Sequence, residues 1–171
     1  MQQSVESKVP VNMRDNWRTP RFVFEHLQKA LETEFLCDLA ADIHNSHCDR
    51  YFSAEKSALS HDWPIGTSFC NPPFTRKVDF VRRAVEQQAR GAFSVFVLPV
   101  DLVQKYTQEH IAKHATAVLV PACRISYIKP ETGETATSAP FESYVVVFGG
   151  ARPGNVDHVP FIWVPGLGYE P

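Results

Sequence analysis

Residues 67–74, with the sequence Thr-Ser-Phe-Cys-Asn-Pro-Pro-Phe, constrain the fold of this chain more than any other stretch. A short apolar run, typical of a strand, stops there at an Asn that two prolines and an aromatic residue follow. Because proline has a fixed φ and no backbone N–H, Pro72 and Pro73 cannot extend a central strand, and the chain must leave the sheet. In α/β proteins, ligands bind beyond the carboxyl ends of the strands. Asn71 and Phe74 are therefore predicted to lie at the mouth of a ligand site.

The side chains of this corner suit attack by an exocyclic amino nitrogen such as that of adenine. The lone pair of that nitrogen is delocalised into the ring, so acceptors must hold its hydrogens before it becomes nucleophilic. Asn71 offers a neutral carbonyl for one hydrogen, and the main-chain carbonyl of Pro72 can accept the other. Phe74 can stack on a base removed from its helix. A structural Asn-Pro-Pro turn with a core Phe explains the same residues, so the corner alone leaves both interpretations open.

Length and composition place the chain among single-domain globular proteins. Its 171 residues suffice for one sizeable core, and a hydrophobic content of 44% with mixed charge is unlike that of disordered or membrane chains. Without a secretory signal or an apolar stretch of membrane-spanning length, we expect a cytoplasmic protein. The formal charge of −2 is unusual for a nucleic-acid-binding protein, which would need a local basic patch.

Strands and helices alternate along the chain. One helix is predicted to begin with Thr19 as its cap and Pro20 as its first residue, a second spans residues 76–90 and is closed by Gly91, and a third spans 104–114. The apolar runs predict strands at residues 35–38, 67–70, 92–99 and 143–148, and one or two more over residues 117–120 and 124–128. This alternation predicts an α/β fold with a doubly wound sheet, closed by an antiparallel hairpin at its edge.

The domain organisation follows from where the periodicity begins and ends. Residues 1–13 are predicted to be a loose lead-in and residues 14–150 the domain. Pro and Gly interrupt residues 151–171, which we expect to form a C-terminal arm packed on the domain, with residues 161–164 extended. The four cysteines, Cys37, Cys48, Cys70 and Cys123, have no paired spacing and are expected to be buried thiols in a reducing compartment.

Acidic residues stand at the predicted end of the first strand. Asp38 is followed by small residues and then by Asp42, a pattern that lets a ligand approach the backbone and gives an acceptor for an amine or a ribose hydroxyl. A solvated loop explains these acids equally well. Asp62 and Trp63 could hold a flat heterocycle, or could cap a turn and fill the core. Likewise, Trp17 is either an anchor for the lead-in or a lid over a cofactor.

Two further groups of residues bear on metal and nucleic-acid binding. The run from His44 to Cys48 fits no standard zinc spacing, so we expect no metal. Arg76 and Lys77 follow the corner, where a phosphate backbone would have to run, although a solvated helix start explains them as well. Together with other cations they could form a basic rim around one mouth. Those cations are Arg14, Arg18, Arg21, Arg82 and Arg83.

A set of short motifs follows a fixed order over residues 15–148. It comprises Trp17-Arg18-Thr19-Pro20, Cys37-Asp38-Leu39-Ala40-Ala41-Asp42, Asn45, Tyr51-Phe52, Asp62-Trp63, Asn71-Pro72-Pro73-Phe74, Leu98-Pro99 and Ala139-Pro140-Phe141. Each motif is weak by itself, but the ordered set resembles the phage-type DNA N6-adenine methyltransferases, a Dam-like family.

The resemblance implies a single Rossmann-like S-adenosylmethionine-dependent methyltransferase domain with a mixed sheet and helices on both faces. It also implies S-adenosylmethionine as methyl donor, S-adenosylhomocysteine as product and the N6 amine of a flipped adenine at a specific DNA site as acceptor. Carried onto this sequence, it makes Asn71, Pro72, Pro73 and Phe74 the catalytic motif. It assigns to the cofactor Trp17, Thr19, Pro20, Asp38, Ala40, Asp42 and, on a looser match, Asp62.

The sequence departs from the wider methyltransferase superfamily in lacking the usual glycines after the first strand. No insertion is large enough for a separate target-recognition domain, so sequence readout must come from short loops or a partner subunit. The rival interpretations are a methyltransferase of the same fold acting on RNA adenine or a protein glutamine, which the acidic balance favours, and a non-catalytic binding module. A nicotinamide-dependent oxidoreductase is disfavoured because no Gly-x-Gly-x-x-Gly follows a strand.

Overall fold

The computed structural model describes residues 15–136 and 141–170. The predicted lead-in, Arg14 and the Ala139-Pro140 pair of the last motif lie outside these ranges. The strands are β1 (Cys37–Asp38), β2 (Gly66–Cys70), β3 (Ala92–Pro99), β4 (Ala117–Pro121), β5 (Ser143–Phe148) and β6 (Phe161–Val164). The helices are α1 (Arg21–Ala30), α2 (Lys77–Gln88) and α3 (Ala112–His114), which continues a π-helical turn (Thr107–Ile111). Short 3₁₀ turns lie at Ala58–Ser60, Phe74–Arg76 and Pro153–Asn155.

The six strands form one mixed sheet in the order β1-β2-β3-β5-β4-β6. Strands β1, β2 and β3 are parallel, β5 is antiparallel to both β3 and β4, and β6 is parallel to β4. The α/β class is therefore confirmed, and the antiparallel closing pair is formed by the predicted strands at residues 117–120 and 143–148.

Two details of the predicted sheet are wrong, and one open point is decided. The β4–β5 pair is not the edge, because the extended residues 161–164 form β6 outside β4. Of the one or two strands predicted over residues 117–128, only β4 forms, although Ile128 makes isolated bridges to Arg18 and Thr135. The first strand is shorter than predicted, since only Cys37 and Asp38 pair with β2. An apolar run in the sequence does not show which other segment its backbone will hydrogen-bond with. Each of these errors arises because strand pairing is decided by such distant segments.

Helices cover both faces of the sheet because successive side chains of a strand point to opposite sides. On β3, Val95 and Val97 pack in the cluster that contains Val23 and Leu27 of α1. The alternate residues Phe96 and Leu98 pack in the cluster that contains Phe80, Val81 and Ala84 of α2. The predicted arrangement of helices on both faces is confirmed.

Helix α1 begins at Arg21, and Pro20 occupies the N-cap position with φ −62° and ψ 147°. The carbonyl of Pro20 accepts hydrogen bonds from the N–H groups of Val23 and Phe24. The prediction of Thr19 as the helix cap is wrong. Pro20 is still extended and takes the cap position itself, so Thr19 lies one residue too far from the first turn of the helix. Helix α2 lies within the predicted range of residues 76–90.

The four cysteines are free thiols, so none is used in a disulfide. Cys37 and Cys70 are fully buried, as predicted, whereas Cys48 and Cys123 are only half-buried. Burial raises the pKa of Cys37 to about 11 and that of Cys48 to about 12, which keeps both thiols protonated and unreactive.

Among the described residues, no helix combines the length and the apolar character needed to cross a membrane.

Candidate active site

A cavity of about 550 Å³ opens at the carboxyl ends of β1 and β2. Three segments contribute most of its wall: residues 15–19 before α1, residues 38–42 after β1, and the corner after β2 with Asn71, Pro73, Thr75 and Arg76. The sequence predicted this position for a ligand site, since parallel strands place their carboxyl ends at the same edge.

The side-chain amide of Asn71 has a fixed orientation in this wall. Its Nδ2 donates a hydrogen bond to the main-chain carbonyl oxygen of Trp17 at 2.8 Å. A carbonyl oxygen can only accept, so the atom facing Trp17 must be the nitrogen. Asn71 Oδ1 is therefore left as an acceptor for a ligand.

The segment before α1 is also tied to the corner by Asp15. Its carboxylate accepts hydrogen bonds from the backbone N–H of Thr75 at 2.9 Å and from the Thr75 hydroxyl at 2.5 Å. Arg18 exchanges two backbone hydrogen bonds with Ile128, at 3.1 and 2.9 Å. These contacts hold residues 15–18 as one wall of the cavity.

An aromatic cluster supports the corner from behind. The ring of Trp17 makes edge contacts with Tyr127 and Phe141 at centroid distances of 6.3 Å each, and Phe141 contacts Phe74 edge-on at 4.8 Å. Tyr127 is fully buried and its hydroxyl lies 2.7 Å from the Ser143 hydroxyl. Trp17 thus packs its segment onto the domain and also lines the cavity, and its part in covering a cofactor stays a prediction.

Asp38 supplies a buried carboxyl group at the tip of β1. Its side chain lines the cavity, is 3% exposed and accepts a hydrogen bond from the N–H of Ala40 at 3.2 Å. Burial raises the pKa of Asp38 to about 7, partly opposed by the N–H groups of Ala40 and His47. A cation bound beside this carboxyl would restore its charge, because an opposite charge favours the ionised form.

Thr19 carries a buried hydroxyl that lacks a partner among the described residues. The residue lines the cavity and is 4% exposed, and its Oγ1 makes no hydrogen bond. Its own carbonyl lies 2.8 Å from His47 Nε2, and burial lowers the pKa of His47, so that the neutral ring donates there. An unsatisfied buried hydroxyl is costly and points to a ligand atom that would complete it.

The loop after β1 is held by its own turn. Asp42 accepts a hydrogen bond from the N–H of His44 at 2.7 Å, and its N–H donates to Asn45 Oδ1 at 2.7 Å. This turn brings residues 40–42 and Asn45 into the cavity wall.

Several predicted site residues lie outside the cavity wall. Pro20 and Pro72 are buried, and Phe74 is half-buried against Phe141. Asp62 does not line the cavity, and its carboxylate instead pairs with Arg90 at 2.7 Å and Arg83 at 3.4 Å. The structure therefore separates Asp62 from the other predicted cofactor residues.

The two cations after the corner differ in their surroundings. Arg76 lines the cavity, is more than half exposed and pairs with Asp79 at 2.7 Å. Lys77 is mostly buried, and its Nζ pairs with Asp101 at 2.5 Å. Other cations of the predicted rim are paired as well, namely Arg21 with Glu25, Arg82 with Asp79, and Arg83 with Asp62 and Glu86.

A sequence profile of the family described as DNA N-6-adenine-methyltransferase (Dam) matches residues 6–154. The chain belongs to this family. The predicted resemblance is thereby confirmed over most of the chain.

Individual proteins are also similar to this chain in sequence. The DNA N-6-adenine-methyltransferase of Haemophilus phage HP1 is 28% identical over 141 residues, covering 82% of each chain. The protein of the same name from Escherichia phage T1 is 25% identical over 171 aligned residues, covering 91% of this chain and 71% of its own. The putative methyltransferase YfdM of Escherichia coli is 39% identical over 66 residues, covering 35% of this chain and 71% of its own.

Membership in the Dam family implies S-adenosylmethionine as methyl donor, and the cavity fits that molecule. Its volume of about 550 Å³ lies within the range of small-molecule sites, about 300–1,000 Å³. Asp38 offers a carboxylate for an ammonium group, and the unpartnered hydroxyl of Thr19 offers a hydrogen bond. The small side chains of Ala40 and Ala41 line the same wall. Among residues 15–136 and 141–170, no group of His, Cys, Asp and Glu side chains could hold a metal ion.

Part of the cavity wall of this Dam-family chain comes from residues that no sequence motif indicates. His47, Ser53, Ala54, Ser57 and Leu59 also line the cavity. They lie in the polar stretch between β1 and β2, where no periodicity marks a site. Asn45, which also lines the cavity, belongs to the ordered motif set, and that membership indicated its place in the site.

Proposed function

We propose that this protein transfers a methyl group from S-adenosylmethionine to the N6 amine of adenine in DNA. The observation that carries the proposal is the fixed orientation of Asn71, whose Nδ2 is bound to Trp17 while Oδ1 remains an acceptor at the cavity wall. An acceptor that cannot rotate away is what a poorly nucleophilic amine requires. The names of the phage relatives, which are DNA N-6-adenine-methyltransferases, support the same reaction.

Each residue of the corner has a proposed part in the reaction. Asn71 Oδ1 accepts one hydrogen of the adenine amine, and the Pro72 carbonyl accepts the other, which turns the nitrogen lone pair toward the donor. Pro73 fixes the direction of that carbonyl. Phe74 stacks on the extruded base, held in place by its edge contact with Phe141 at 4.8 Å. S-adenosylmethionine would supply an electrophilic methyl group on a sulfonium: as the N–C bond forms, the C–S bond breaks, S-adenosylhomocysteine leaves, and the methylated nitrogen releases one proton to solvent.

The donor is proposed to lie between the segment before α1 and the loop after β1. Asp38 accepts from its ammonium group, Thr19 Oγ1 completes a hydrogen bond with one of its polar atoms, and Trp17, Ala40 and Asp42 form the surrounding wall. We do not retain Asp62 and Pro20 in this set, because neither side chain lines the cavity.

DNA is proposed to run past the exposed face of the corner. Arg76 is the proposed phosphate contact. Its ion pair with Asp79 is exposed to solvent, so the guanidinium can leave Asp79 for a phosphate at little cost in free energy. The phage relatives favour action in the cytoplasm of a host cell.

One experiment separates this function from its rivals. The protein is incubated with tritiated S-adenosylmethionine and, in parallel, with DNA, RNA or protein, and the modified group is identified by mass spectrometry. N6-methyladenine in DNA is the expected product. N6-methyladenine in RNA or a methylated glutamine would overturn the DNA assignment, and calorimetry that shows no heat with the donor would identify a non-catalytic binding module.

A further inference from the structure

The turn that follows β3 presents an aliphatic side chain to solvent. Val103 is 91% exposed, the highest value among the large hydrophobic side chains that the structure describes, and the adjacent Leu102 is 46% exposed. Burying such a side chain in a complex would be favourable, because its apolar surface is now in water.

Hydrogen bonds from the following helical turn hold this turn in shape. The Thr107 hydroxyl donates to the main-chain carbonyl of Asp101 at 2.6 Å. The side-chain amide of Gln108 donates to the carbonyl of Leu102 at 2.8 Å. Val103 is therefore displayed on a braced turn, and its exposure does not come from a frayed loop.

A salt bridge connects the same turn to the catalytic corner. Lys77 Nζ pairs with the Asp101 carboxylate at 2.5 Å and lies 5.9 Å from the centroid of the Tyr106 ring. Lys77 is the first residue of α2, directly after the 3₁₀ turn Phe74–Arg76 that ends the corner. This side chain, which the sequence had assigned to phosphate, instead fixes the position of Asp101 relative to Phe74.

The turn follows β3 beyond the point where β2 ends. β2 ends at Cys70, whose partner on the parallel strand β3 is Phe96, and β3 continues to Pro99 before the turn begins. At about 3.3 Å per residue, this extension carries the chain about 10 Å past the end of β2. Val103 therefore follows the carboxyl end of β3, and Asn71 follows the carboxyl end of the neighbouring parallel strand β2.

We propose that Val103, with Leu102 beside it, enters the base stack at the position that the target adenine leaves. The inference rests on the proposed function. Extrusion of a base leaves an apolar gap between its neighbours, and an aliphatic side chain in that gap replaces part of the lost stacking. Lys77 and Asp101 then act as positioning residues that aim the turn.

The test compares Val103→Ala with Ile65→Ala, a matched control. Ile65 is 70% exposed but precedes the amino end of β2, whereas the corner and the Val103 turn follow the carboxyl ends of their strands. Both truncations are at the surface, so neither is expected to unfold the protein. The methylated position is first mapped with the wild type. Methylation is then measured on a duplex with that target, on the single strand, and on a duplex whose target adenine faces an abasic site.

We expect Val103→Ala to lower kcat/KM about tenfold on the intact duplex and about twofold at most on the other two substrates. Ile65→Ala should leave all three values unchanged. Val103→Leu, which keeps an aliphatic side chain at this position, should methylate the duplex at the wild-type rate. With 2-aminopurine at the target, the fluorescence rise on binding should be smaller for Val103→Ala.

Equal losses on all substrates, or no loss on the duplex, would overturn the inference while leaving the proposed function intact. If the wild type methylates no DNA, the proposed function fails and this inference fails with it. A change of molecular mass in solution on Val103→Ala, measured by light scattering, would assign the turn to contact with a second copy and would also overturn it.

Discussion

The side-chain amide of Asn71 donates to the main-chain carbonyl of Trp17 at 2.8 Å, joining residues 54 positions apart in sequence. One end of this bond is the proposed methyl-acceptor site, and the other belongs to the segment that walls the donor cavity. A displacement of Trp17 would therefore release the amide of Asn71. The two halves of the proposed active site are connected by this contact.

Asn71→Ala is expected to abolish methyl transfer while leaving donor affinity within a few-fold of the wild type. The substitution removes the acceptor for the adenine amine, and loss of one such preorganised group costs about a hundredfold or more in rate. Single-turnover methylation and calorimetric titration of S-adenosylmethionine measure the two quantities. Near-normal turnover in the variant would refute the role of Asn71.

Donor binding is expected to weaken as the pH falls through about 7, because burial raises the pKa of Asp38 to about 7. Below that value the carboxyl is protonated in the free protein, and a cationic donor must expel the proton, which costs about tenfold in affinity per pH unit. Above it the carboxylate is already charged, so affinity should level off. Titrations from pH 5 to 8, a range of about three units, measure this dependence.

The matched variant for that pH dependence is Asp38→Asn, which keeps the shape of the side chain and removes its titration. It should bind the donor weakly and without the slope below pH 7. Wild-type affinity that does not change with pH, or a variant that loses DNA binding while keeping the donor, would show that Asp38 does not face the ammonium group.

Thr19→Val is expected to weaken donor binding about tenfold without destabilising the ligand-free protein. The valine has nearly the same volume, and it removes a buried hydroxyl that has no partner in the described structure. Loss of an unsatisfied group is neutral or stabilising, by about 1 kcal/mol, whereas loss of a bond to the donor lowers affinity. Thermal unfolding with and without S-adenosylmethionine separates the two effects. An unchanged donor affinity would leave the Thr19 hydroxyl without a ligand role.

Arg76→Ala is expected to lower the salt slope of DNA binding by about one, as for one lost phosphate contact. Lys77→Met should leave the slope unchanged, because its ammonium group is already neutralised by Asp101. Binding isotherms at several salt concentrations compare the two variants. Equal salt slopes for Arg76→Ala and the wild type would place the DNA path away from the start of α2.

The sequence determined the features that depend on neighbouring residues. Proline chemistry set the end of β2 at Cys70, and apolar runs located β3 and β5 with their bounds nearly as observed. The ordered motifs indicated the family, the donor and the position of Asn71, since short motifs retain their spacing along the chain. These are properties that a local pattern can encode.

Only the tertiary structure decided which side chains meet. In the folded protein Lys77 pairs with Asp101 and Asp62 pairs with Arg90. The Thr19 hydroxyl caps no helix and has no hydrogen-bond partner among the described residues. The tertiary structure also placed β6 at the edge of the sheet. Contacts between distant segments depend on how helices and strands pack, and packing brings together residues whose local sequences contain no information about each other.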